Sequence, residues 1–110
     1  MGVFDKSDPA VRTTYDRLLI RVRRIGPVTA EQNKSSIHLK GRAAFADVHP
    51  LKSRLDVSIV SEEPIADPRV TKRDKISASR YNNIVPLSSP HDIDAQLMDW
   101  LKRAYELGSA

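Results

Sequence analysis

Arg54-Leu55-Asp56-Val57-Ser58-Ile59-Val60-Ser61 decides how this 110-residue chain is read. Leu55, Val57 and Ile59 point one way, and Arg54, Asp56 and Ser58 the other. A period of two marks a strand with one face on a core and one face wet. Burying those three apolar side chains is worth roughly 5–9 kcal/mol before entropy. The rest of the chain reads as what covers or extends that strand.

Upstream, Asp8-Pro9 is a helix start: Asp8 caps free N–H groups, and Pro9 loses nothing by lacking one in the first turn. Val11, Tyr15, Leu18, Leu19, Val22 and Ile25 then form one helical stripe, closed by Gly26-Pro27. The spacing predicts a helix from about Pro9 to Ile25, preceded by a loose tail over residues 1–7. The opposite face carries Arg12, Arg17, Arg21, Arg23 and Arg24 against Asp16. Cations late in a helix complement its dipole, which is the ordinary reading. The sharper one is a phosphate-facing patch.

Val28–Lys34 reads as a polar connector, with Asn33-Lys34-Ser35-Ser36 as a turn or a binding loop. Ser36–Lys40 alternates again. Gly41-Arg42 reads as a tight turn, and Ala43–Val48 returns as a second strand anchored by Phe45. Beyond the central strand, Ile65–Ser79 has weak periodicity, holds Arg69, Lys72, Arg73 and Lys75, and reads as a long exposed loop. Arg80–Leu87 is the next strand, with Tyr81, Asn83, Val85 and Leu87 on one face. Pro86 donates no ladder hydrogen bond, so this strand sits at an edge or ends there. Ser89-Pro90 opens a second helix with Ile93, Leu97, Trp100, Leu101 and Ala104 as its buried stripe, Trp100 being the largest piece of core.

These elements predict a single α+β domain over residues 1–110, with the folded core at 8–108. It holds an N-terminal helix, about four mostly antiparallel strands and a C-terminal helix. Both helices cover one face of the sheet. The other face would expose His38, Lys40, Arg54, Asp56 and Ser58.

Composition narrows function by exclusion. There is no cysteine, hence no thiolate nucleophile or zinc ligand. No hydrophobic run resembles a signal peptide or a membrane span, so the expectation is a cytoplasmic protein with no membrane partner. His38, His49 and His91 lie at no metal-ligand spacing, and the four glycines are too dispersed for a phosphate cradle. No Gly-x-Ser-x-Gly elbow is present. Asp56, Glu62, Glu63 and Lys72 could contribute to a nuclease-type cluster, but without a recognisable spacing. No catalytic residue, metal or cofactor is therefore expected.

The order Lys34, Phe45, Leu55–Ile59, Arg80-Tyr81, Asp92-Ile93-Asp94, Trp100-Leu101 and Ala104-Tyr105 resembles the bacterial domain of unknown function 5655, from about Tyr15 to Leu107. Such domains stand alone or are fused to larger proteins, some of nuclease type. Trp100–Leu107 is also similar to the end of YjbR-like proteins, which implies a mixed sheet with a DNA-binding surface. Neither resemblance implies catalytic residues.

The favoured expectation is a small non-enzymatic module contacting DNA or RNA phosphates through Lys40, Arg54, Arg69, Lys72, Arg73 and Arg80. The alternatives are a protein-interaction or homodimerisation domain, and an unrecognised enzyme or small-molecule binder.

Overall fold

The computed structural model describes residues 2–109. Met1, part of the expected tail, lies outside the described residues, as does Ala110. Helix α1 spans Pro9–Val22. Strands follow at β1 Thr29–Gln32, β2 Ile37–Lys40, β3 Ala44–Pro50, β4 Leu55–Ser61, β5 Lys72–Ser77 and β6 Arg80–Leu87. A 3-10 turn at Pro90–Asp92 leads into α2, Ala95–Ser109. All neighbouring strands pair antiparallel, in the order β1-β2-β3-β4-β6-β5.

The fold is α+β as expected, but with six strands rather than about four. The polar connector contains β1, and the long loop contains β5. Both are edge strands. β5 is exposed at every residue and β1 at three of its four, so neither needs the alternation that marks a half-buried strand. Helix α1 also stops three residues early. Its C-terminal turn tightens as the Arg24 and Ile25 N–H groups bond the carbonyls of Arg21 and Val22, at 3.1 and 3.0 Å.

Register builds the core. Val57 faces Val48 on β3 and Val85 on β6, and Leu55 faces Leu87. Leu55, Val57, Ile59, Val85 and Leu87 are fully buried. Leu39 pairs with Ala46 while Lys40 pairs with Ala44, so Phe45 is an extra residue at a bulge. The bulge leaves Phe45 buried, with its ring edge-on to Tyr105 at 5.3 Å. Val11, Tyr15, Leu18 and Val22 of α1 and Leu97, Leu101 and Ala104 of α2 close over this same side. Trp100, expected as the main core piece, is only half-buried; Phe45 heads the fully buried side chains. Ahead of α1, Phe4 packs on Tyr15 at 5.2 Å, and the Ser7 hydroxyl donates to the Leu51 carbonyl at 2.7 Å.

Candidate functional site

Because both helices occupy one side, the other sheet face is uncovered, and its rows follow from register. One row crosses all six strands: Glu31, His38, Asp47, Ser58, Ile84 and Lys72. His38 Nδ1 lies 3.4 Å from Asp47 Oδ1, a buried oxygen with no hydrogen-bond partner. Acyl transfer by serine needs the imidazole between hydroxyl and carboxylate. Here Asp47 sits between His38 and Ser58, the wrong order for that chemistry. Among the described residues, no group of three His, Asp or Glu side chains could hold a metal ion.

The six expected phosphate ligands are not brought together. Lys40, Arg54, Lys72 and Arg80 share the uncovered face by register parity, and the first three are paired with carboxylates. Lys40 Nζ lies 3.0 Å from Glu31, Arg54 Nε 3.0 Å from Asp56, and Lys72 Nζ 3.8 Å from Asp74. The hydrogen bond from Lys40 holds the Glu31 carboxyl below its ordinary pKa. Arg80 donates to the neighbouring Ser79 carbonyl at 2.9 Å.

Arg69 and Arg73 serve the chain itself. Arg69 Nη1 donates to both Asp94 oxygens at 2.9 Å, Nη2 donates to the Asp92 carbonyl at 2.7 Å, and the guanidinium lies 5.8 Å from the Trp100 ring centre. Arg73 donates to the carbonyls of Ile65 and Asp67 at 2.7 and 3.0 Å, and so folds the β4–β5 connection against its own strand. Lys72, Arg73, Asp74 and Lys75 also charge the β5 edge, which discourages the addition of another strand.

Helix α1 differs. Of 18 Lys and Arg against 14 Asp and Glu, residues 12–24 hold five cations and one acid, leaving 13 of each sign elsewhere. The net charge of +4 therefore equals the excess on this one segment. Arg21 is engaged with the Ile93 carbonyl at 2.6 Å. Arg12, Arg17, Arg23 and Arg24 are exposed. Arg12 pairs with Asp16 at 3.3 Å and lies over the Phe4 ring, and Arg23 donates through Nε to the Val28 carbonyl at 3.4 Å. Arg17 and Arg24 make no ion pair among the described residues, and Ile20, between them in sequence, is 55% exposed. At 1.5 Å per residue, Arg12 to Arg24 covers about 18 Å.

Two clefts open elsewhere. One, of about 480 Å³, lies between the end of β4 and α2 and is lined by Glu62, Glu63, Trp100 and Arg103. The other, of about 1090 Å³, lies between the segment ahead of α1 and the turns after β1 and β3. Three lysines line it: Lys6, Lys34 and Lys52. Sequence flagged only Lys34, within the Asn33–Ser36 cluster; the other two stand 28 and 18 residues away along the chain. The groups with displaced pKa, Tyr15, Glu31 and Asp94, line neither cleft.

No described helix is long and apolar enough to cross a membrane. Comparison with family models finds a match over residues 2–108 to a domain of unknown function, DUF5655. No curated protein and no solved structure is significantly similar to the chain.

Proposed function

This chain belongs to the DUF5655 domain family, and within it we propose a binding module that contacts nucleic-acid phosphates through the exposed arginines of α1. The observation that carries the reading is the charge imbalance: the net charge equals the excess over residues 12–24, which run from α1 into the turn after it, and Arg17 and Arg24 there have no carboxylate partner among the described residues. Guanidiniums spread over about 18 Å suit several phosphates better than a single anion. Lys40, Arg54 and Lys72 are secondary contributors at best, because each must first release an acid.

Fluorescence anisotropy against labelled single- and double-stranded DNA and RNA tests it. Three guanidiniums free of carboxylates, Arg17, Arg23 and Arg24, give a slope of log affinity against log salt of about −2 to −3 at phosphates, with little sequence preference. The double substitution Arg17→Glu and Arg24→Glu should weaken binding at least tenfold. Lys40→Ala with Arg54→Ala should leave it within about twofold. Absence of binding at tens of micromolar protein in low salt, or equal binding by the α1 double variant, overturns the reading.

A further inference from the structure

The larger cleft has the makings of a second and independent site. Its walls come from three stretches of chain: the segment ahead of α1, the β1–β2 turn and the β3–β4 turn. Each contributes one ammonium, from Lys6, Lys34 and Lys52, and none of the three forms an ion pair among the described residues. Of the sheet lysines, Lys40 and Lys72 have carboxylates beside them and Lys75 does not; what sets Lys6, Lys34 and Lys52 apart is that they share one hollow. With three ammonium groups against the two carboxylates of Asp5 and Asp8, the hollow keeps a positive excess, which favours an anion with several negative oxygens.

Two acids, Asp5 and Asp8, share the cleft. Asp5 accepts from the Gly2 backbone N–H at 2.9 Å. Asp8 stands at the start of α1 with its side chain making no cap hydrogen bond, so its carboxylate is open to a hydroxyl donor. His49 adds an imidazole to the same wall. The volume of about 1090 Å³ exceeds the roughly 300–1,000 Å³ usual for small-molecule sites, so the hollow has room for a ligand and its water.

We propose that this cleft binds a small phosphorylated molecule carrying free hydroxyls, of the size of a nucleoside diphosphate, with Lys6, Lys34 and Lys52 on the phosphates and Asp8 on a hydroxyl. The proposal does not depend on α1 binding nucleic acid.

Isothermal titration of the full chain with ADP, inorganic pyrophosphate and adenosine tests it. ADP should bind saturably with one site per chain, pyrophosphate more weakly, and adenosine not measurably at millimolar concentration. Lys34→Ala with Lys52→Ala should weaken ADP at least tenfold. Both lysines are exposed, so the variant should keep the wild-type melting temperature. Arg17→Glu with Arg24→Glu should change ADP affinity less than twofold. That separates this site from the α1 surface. No saturable heat with ADP, equal ADP affinity in the lysine variant, or adenosine matching ADP would each overturn the proposal.

Discussion

Arg69 and Asp94 stand 25 residues apart and meet in a two-pronged ion pair, both carboxylate oxygens 2.9 Å from one guanidinium nitrogen. The same carboxylate accepts the Leu97 N–H at 2.9 Å, and so caps α2. The pair thereby ties the loop ahead of β5 to the start of the second helix.

Its first consequence is acid sensitivity. The Leu97 N–H, and then Arg69, hold the Asp94 carboxyl below the ordinary aspartate pKa. A carboxyl with a lowered folded pKa adds stability above its unfolded value, and that contribution disappears as pH falls through the folded one. The melting temperature should therefore drop below about pH 4. Asp94→Ala should lower stability by about 0.5–2 kcal/mol at neutral pH through the lost cap and flatten this acid dependence. Thermal melts from pH 3 to pH 7 on both proteins check it; parallel profiles would contradict the assignment.

Asn83 makes a second tie, and this one is buried. Its amide nitrogen donates to the Ile59 carbonyl at 2.9 Å and the Ser61 hydroxyl at 2.8 Å, while its oxygen accepts the Ile65 N–H at 2.9 Å. Asn83→Leu keeps the branched shape but strands these partners, at a cost of about 1–3 kcal/mol for each one left buried and unpaired. Urea unfolding should show the loss. Hydrogen exchange should show the Ile65 amide losing protection ahead of the β4 amides.

Tyr105 fills the space that two glycines leave. A Cβ at Gly41 would lie 2.6 Å from a ring carbon, and one at Gly26 would lie 2.6 Å from the hydroxyl oxygen. Gly41→Ala must push the ring off Phe45 and should cost about 1–3 kcal/mol. In a Tyr105→Leu background the same substitution should be close to neutral. Equal costs in the two backgrounds, read by urea denaturation, would show that the ring is not what excludes the methyl.

The central strand offers a plain check on the core. Ile59 is fully buried, with Ala46 and Asn83 on either side of it. Ile59→Ala should destabilise by about 2–5 kcal/mol. Ser58→Ala, one residue along on the uncovered face, should stay within about 0.5 kcal/mol.

Burial explains what was legible in sequence. Leu55, Val57 and Ile59 alternate because one side of β4 is dry, and Tyr15 and Leu18 repeat helically for the same reason. Thr29–Gln32 and Lys72–Ser77 are largely wet on both sides and keep no such imprint. Site chemistry was less legible still. Arg69 looks like any surface cation until folding brings Asp94 and Trp100 beside it. Lys6 and Lys52 carry no local sign that the chain will place them around one cleft with Lys34.

Concentrating the surplus charge on α1 and the turn that follows it gives the molecule an electric dipole as well as a net charge. In the field of a polyanion it should experience a torque, and approach helix-first before any atom touches. Added salt would then act chiefly by slowing association, because screening removes the orientation before it weakens the finished contacts.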